Sequence, residues 1–176
     1  MRNGGQCDNH KSMFKTTNEN SVDDDKWYPG PPPMFSRRDV VLVGGCFDLM
    51  HRGHLHLFKS AKSLGAKVYV GVLSDNYVRK YKGSGRPIQD EKTRYEIVKS
   101  LRYVDKAFIV NGDAYAHDVL AHTGARAIIL GVHNGESATI RKKAQIINYK
   151  NPNLEVLFLK RLNPDKISTT KLVEKI

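Results

Sequence analysis

Val43-Gly44-Gly45-Cys46-Phe47-Asp48-Leu49-Met50-His51-Arg52-Gly53-His54 is the stretch that decides the fold of this 176-residue chain. The apolar run from Val40 to Val43 ends in a glycine pair, and a tight loop follows. A helical pattern then begins at once with Leu55, Phe58, Ala61 and Leu64. Strand, glycine turn and helix N-terminus in immediate succession make an anion site, because the first helical N–H groups and the positive end of the macrodipole face whatever sits there. His51 and His54, at i and i+3, add donors to the same spot. The combination points to chemistry on a phosphate, beyond the binding of one.

Other readings of the stretch fit less well. A histidine pair holding a metal on a helix face prefers i, i+4 spacing, and no third ligand lies nearby. A dinucleotide turn needs G-x-G-x-x-G, which this loop lacks. The chain carries 29 Lys and Arg against 18 Asp and Glu, a net charge of +11, which favours an anionic partner. The basic residues are dispersed, without an arginine or lysine tract, so a phosphorylated small molecule is favoured over nucleic acid. Cys7 and Cys46 are too few for a disulfide scaffold, and a reducing cytoplasm is expected. No apolar window is long enough to span a membrane, and no signal peptide is visible.

Residues 1–38 differ from the rest. They contain no Leu, Ile or Ala, carry Asp23-Asp24-Asp25, and close on Pro29-Gly30-Pro31-Pro32-Pro33. Such a tail buries too little apolar surface to offset its ordering entropy, so it is expected to be mostly disordered or loosely docked, with Trp27, Tyr28 and Phe35 as its candidate contacts. From residue 39 to 176 short apolar runs alternate with helical segments as one domain. Strands are expected at Val40–Val43, Val68–Leu73, Ala107–Val110, Ala127–Leu130 and Val156–Leu159. Helices are expected at Leu55–Leu64, Thr93–Leu101, Ala116–Thr123 (stopped by Gly124), Ser137–Ile147 and Ser168–Ile176. The fold class is α/β: a Rossmann-like, doubly wound, parallel five-stranded sheet, with a ligand crevice at the carboxyl ends of its strands.

The string G-x-F-D-x-x-H-x-G-H resembles the signature of the nucleotidyltransferase superfamily. Further along stand Ser74-Asp75-Asn76, Arg79-Lys80-Tyr81-Lys82-Gly83, Arg86-Pro87-Ile88, Glu91-Lys92-Thr93-Arg94, Leu101-Arg102-Tyr103-Val104-Asp105 and Ile167-Ser168-Thr169-Thr170-Lys171. Together they resemble the cytidylyltransferase branch, which joins CTP to phosphocholine, phosphoethanolamine or glycerol 3-phosphate. The resemblance implies that His51 and His54 sit on the triphosphate and that Lys82 bridges the acceptor phosphate and the α-phosphate, with Lys80 assisting. It implies nucleotide contacts from Gly45, Cys46, Phe47, Asp48, Arg102, Gly131, Ser168, Thr169 and Thr170. Asp75, Arg94 and Tyr115 are implied on the acceptor side. Mg²⁺ is expected to arrive with the triphosphate, and a homodimer is expected.

Three departures bear on specificity. Cys46 stands where the branch carries Thr, Val or Ala. The acidic pair after the fourth parallel strand is replaced by Gly131-Val132-His133-Asn134-Gly135-Glu136, leaving His133 or Asn134 to read the base or ribose. The segment before Ile167 reads Arg161-Leu162-Asn163-Pro164-Asp165-Lys166, longer than the family's Arg-Thr-Glu-Gly. Asp48 keeps two readings, as a histidine or Mg²⁺ partner and as a cap for its own turn. Two alternatives stand beside the CTP reading: an adenylyltransferase of the same fold using ATP with FMN or a sugar phosphate, and a non-catalytic nucleotide- or nucleic-acid-binding module.

Overall fold

The computed structural model describes residues 14–16, 35–132, 137–162 and 168–173. Five parallel strands form the sheet: β2 (Val40–Gly45), β3 (Lys67–Leu73), β4 (Lys106–Val110), β5 (Ala127–Val132) and β6 (Glu155–Lys160). A further strand from the N-terminal tail, β1 (Phe14–Thr16), pairs antiparallel with β6. The order across the sheet is β1-β6-β5-β2-β3-β4. Each expected parallel strand is present, extended by one or two residues at one or both ends. The tail's edge strand was not expected from its composition, and Trp27 and Tyr28 lie outside the described residues.

Alternation along the strands builds two cores. Val41, Val43, Val68 and Val70 pack with Phe58 and Ala61 of α1 (Arg52–Ser63), its C-cap Leu64 and Val98 of α3 (Glu91–Lys99), joined by Phe35 from the tail. Leu42, Ile128 and Val156 face the other way, onto Leu120 of α4 (His117–Thr123) and Ala144 and Ile147 of α5 (Ser137–Lys150). Fully burying each such side chain contributes roughly 1.5–3 kcal/mol, which is why the strands read as continuous apolar runs. Helices on both faces make the sheet doubly wound, as expected.

Helix ends follow local chemistry. Asp90 caps α3 by accepting from the Thr93 N–H at 2.9 Å. Gly124 closes α4 in the left-handed region at φ 61°, where a glycine meets no steric penalty. α5 continues to Lys150, beyond the expected Ile147. The short helix α6 covers Thr169–Val173. One helix stands outside the expected set: α2 (Asp75–Lys82), capped by Ser74, whose hydroxyl oxygen accepts from the Tyr77 N–H at 3.2 Å. Only Val78 of α2 is buried, so its apolar periodicity is faint.

Strand order reverses between β2 and β5, because β3 and β4 lie on one side of β2 while β5 and β6 lie on the other. Chains leaving β2 and β5 therefore part at their carboxyl ends and open a crevice there. The glycine pair and the loop to His54 leave β2 at that point.

Candidate active site

A cleft of about 670 Å³ opens at this switch point, within the size range of small-molecule sites. Its floor is the glycine pair. A Cβ on Gly44 would lie 2.3 Å from the Cβ of Ala114, and one on Gly45 would lie 2.8 Å from the Phe47 ring. Close approach, not backbone conformation, is what demands glycine at both positions. The loop beyond them is strained: Phe47 and Leu49 adopt φ of 54° and 45°, at a cost on the order of 1–3 kcal/mol each.

Asp48 holds that strain in place. Its buried carboxylate accepts from the N–H groups of Ile88 at 2.9 Å and Gln89 at 3.0 Å, and the Arg86 guanidinium stands 3.7 Å away. Gln89 returns the tie by accepting from the Leu49 N–H at 3.1 Å. Of the two readings of Asp48, the one in which it organises its own loop matches this geometry. Its carboxylate is spent on the 86–89 segment and does not line the cleft.

His51 caps α1, its Nδ1 accepting from the Gly53 N–H at 3.1 Å. That bond fixes the proton of the neutral ring on Nε2. The His54 ring stacks on it at 3.8 Å and meets Phe47 edge-on at 5.5 Å. Burial, followed by the charges of His51 and Lys82, pushes the His54 pKa down to about 3. Burial lowers His51 as well. Both rings are thus neutral donors at pH 7. Among the described residues the buried Nδ1 of His54 has no hydrogen-bond partner. Formal positive charge in the cleft comes from Lys80, Lys82, Lys143 and Arg161, all in its lining.

Cys46, Phe47, Gly131, Ser168, Thr169 and Thr170 line the same cleft, so most of the expected nucleotide contacts converge there. The Thr169 hydroxyl donates to the Asp48 carbonyl at 2.7 Å, and Ser168 Oγ accepts from the Lys171 N–H at 3.3 Å. Cys46 is a free, buried thiol whose pKa burial pushes up. His133 and Asn134 lie outside the described residues.

Besides Asp48, three expected contacts stand outside the cleft lining, and a fourth lines it with its hydroxyl already paired. Arg94 is fully buried, and its guanidinium donates to the carbonyls of Gln89, Cys46 and Leu73 and to Asp75 Oδ1. It ties the ends of β2 and β3 together beneath the cleft in place of meeting an acceptor. Asp75 is its 2.7 Å partner and is likewise occupied. Arg102 is exposed, its guanidinium 4.8 Å from the Tyr103 ring, in the turn that leads into β4 and so at the opposite end of the sheet from the cleft. Tyr115 does line the cleft, but its hydroxyl accepts from the Gly44 N–H and donates to the Ile129 carbonyl, both at 2.9 Å. It is a strut between β2 and β5, and Lys143 Nζ already stands 5.1 Å from its ring, where a quaternary ammonium would have to sit.

Sequence reasoning missed Asp113, Tyr77 and Lys143, which also line the cleft. The basic run Arg141-Lys142-Lys143 gave no sign of which member turns inward. Among the described residues no cluster of three His, Cys, Asp or Glu side chains is arranged to hold a metal. The described donor set does not fit a protein-held divalent ion.

The family model described as cytidylyltransferase-like matches residues 42–175. An FAD synthase from Pyrococcus horikoshii is 34% identical over 142 residues, covering 80% of this chain and 93% of that protein. The bifunctional protein HldE of Coxiella burnetii is 42% identical over 66 residues, 38% of this chain and 14% of that protein. Among solved structures, the lipopolysaccharide core biosynthesis protein of Thermoplasma volcanium superposes with a TM-score of 0.60 at 24% identity, covering 71% of this chain and 98% of that one.

Proposed function

We propose, for a chain that belongs to the cytidylyltransferase-like family of nucleotidyl-transferring enzymes, that it transfers AMP from ATP to a phosphate monoester and releases pyrophosphate. One observation carries the reaction type: His51, His54, Lys82 and Ser168 to Thr170, distant in sequence, line one cleft at the switch point of the sheet. ATP as donor is supported by the FAD synthase, similar over most of both chains, and by the absence of an acidic pair after β5. FMN is accordingly the first acceptor to test. Transfer of CMP from CTP to an alcohol phosphate is the second reading, supported by Ile167-Ser168-Thr169-Thr170.

An oxygen of the acceptor phosphate attacks the α-phosphorus in line, and the bond from that phosphorus to the β-bridging oxygen breaks. Pyrophosphate leaves with the electron pair, and no covalent enzyme intermediate forms. Negative charge grows on the equatorial and leaving oxygens, so catalysis is positioning plus electrostatic stabilisation. The α1 N-terminus and the neutral imidazoles of His51 and His54 donate to the triphosphate. Neutral rings serve better than imidazoliums here, because they leave Lys80 and Lys82 free to approach without repulsion. Lys82 draws the two reacting phosphates together against their mutual repulsion as a compact point charge. Mg²⁺ would arrive with the triphosphate and would supply charge neutralisation there.

The proposal extends to a homodimer in a reducing cytoplasm. The free thiol of Cys46 is compatible with that compartment, and the exposed Arg102 stands where a second copy can meet it. No described helix is long and apolar enough to cross a membrane.

Pyrophosphate release is the test, with purified protein, Mg²⁺, each nucleoside triphosphate in turn, and FMN, glycerol 3-phosphate, phosphoethanolamine or phosphocholine. Release with ATP and FMN is the expected result. Release with CTP and glycerol 3-phosphate replaces it by the second reading, and release with no combination overturns both.

A further inference from the structure

Once the triphosphate occupies the α1 N-terminus and the Ser168–Thr170 segment, in-line geometry leaves the acceptor the other wall of the cleft. That wall is made by three elements that meet only in the folded chain: the β4–α4 turn with Asp113, α5 with Lys143, and α2 with Tyr77. Lys143 Nζ lies 3.1 Å from both carboxylate oxygens of Asp113. The Tyr115 N–H also donates to Asp113 Oδ1 at 3.1 Å, which fixes the carboxylate on its turn. The Tyr115 ring lies 5.1 Å from the ammonium. Tyr77 lines the same cleft, and burial together with the Asp113 charge raises its phenol pKa, so it is a donor.

We infer that Asp113 and Lys143 form the acceptor-reading pair of this cleft, holding the hydroxyl groups of a polyhydroxylated phosphate monoester and disfavouring one whose free end is a cation. This rests on the nucleotidyl-transfer reading above. A carboxylate and an ammonium side by side match a hydroxyl in both of its capacities, donor to Asp113 and acceptor from Lys143. Among the described lining residues Asp113 is the only acid, against Lys80, Lys82, Lys143 and Arg161. A second ammonium therefore enters a field already positive, and the single carboxylate is engaged by Lys143. The side chains of Asp113 and Lys143 are each 41% exposed, so a ligand reaches the pair without prising open the core.

Asp113→Asn and Lys143→Met are assayed with the nucleoside triphosphate that the wild type uses, varying FMN, glycerol 3-phosphate and phosphoethanolamine. Loss of one charge-assisted hydrogen bond predicts an acceptor KM raised by about tenfold in either variant, with the nucleotide KM nearly unchanged. Lys143→Met also releases Asp113 to pair with an ammonium. The ratio of kcat/KM for phosphoethanolamine over glycerol 3-phosphate is therefore expected to rise, again by about tenfold. A purely structural pair moves neither the KM split nor that ratio. Equal rises in both KM values overturn the inference, and so does an acceptor KM that stays put. Preference of the wild type for phosphoethanolamine or phosphocholine overturns it too. Failure of the underlying reaction is distinguishable, because the wild type then releases pyrophosphate with no acceptor, and the inference falls with it.

Discussion

The hydroxyl of Thr169 donates to the main-chain carbonyl of Asp48 across 2.7 Å, joining residues 121 positions apart in sequence. Through this bond the first turn of α6 is docked on the strained loop that follows β2, so these two flanks of the cleft are held as one unit. Thr169→Val keeps the branched shape and removes the donor. Leaving the buried carbonyl unpaired is expected to cost about 1–3 kcal/mol in urea unfolding. It also loosens the triphosphate side, so the nucleotide KM rises more than the acceptor KM. Thr169→Ser restores both values, and a Val variant with wild-type stability and nucleotide KM contradicts the docking role.

Arg94 supports the cleft from below. Its partners are three carbonyls and Asp75, and no part of its side chain is exposed. Arg94→Met leaves the buried carbonyls of Cys46 and Leu73 without their donor and the partly exposed Asp75 carboxylate without its 2.7 Å partner, which predicts a loss of about 3–5 kcal/mol in chemical unfolding. Arg102→Met, on an exposed turn, is expected to cost no more than about 1 kcal/mol. Calorimetry or urea titration separates the two. An Arg94 variant with unchanged stability and an impaired acceptor KM restores the substrate-binding role that the sequence pointed to.

The order of strands and helices was legible because each parallel strand is an apolar run buried on both faces, and because Gly124 announces the end of α4. The place of His51, His54 and Lys82 in the cleft was legible because each stands in a short local pattern. The partners of Arg94, Asp75 and Tyr115 were not legible, for a common physical reason. Each of the three is an ordinary polar residue whose role is set by its partners, and the telling ones, Asp75 for Arg94 and Gly44 for Tyr115, lie 19 and 71 residues away. The helix α2 was hidden by its polarity, although Ser74 and Gly83 mark its two ends. The wall formed by Asp113, Tyr77 and Lys143 exists only after three separate connections of the sheet have folded.

His54 makes stability depend on pH in a definite direction. Its pKa is about 3 in the folded chain against 6.5 for an ordinary histidine. The unfolded state therefore takes up a proton that the folded state refuses, and stability falls as pH drops from 6.5 toward 3. At pH 5 the contribution lost is on the order of 2 kcal/mol relative to neutral pH. His54→Gln lacks this linkage, so its urea midpoint is expected to fall less between pH 7 and pH 5 than that of the wild type. The same variant is expected to lose most of its turnover, since an imidazole donor to the triphosphate is gone. Parallel pH profiles for the two proteins would show that the ring is not held neutral.

Tyr115 separates a structural role from a substrate role within a single side chain. Its hydroxyl takes the Gly44 N–H and gives its proton to the Ile129 carbonyl, while burial holds the phenol pKa above its ordinary value. It never ionises in the working range and has no free capacity for a ligand beyond its ring. Tyr115→Phe keeps the ring against the cleft and strips both bonds, leaving one buried donor and one buried acceptor on neighbouring strands. The expected loss is about 1–3 kcal/mol of stability, with both substrate KM values changed by less than about threefold because the wall's shape survives. Gly44→Ala attacks the same junction from the other side, through its contact with Ala114, and is expected to combine with Tyr115→Phe non-additively because the two share one contact. Strict additivity in that double-mutant cycle, measured by urea unfolding, means the hydroxyl and the glycine are not parts of one strut.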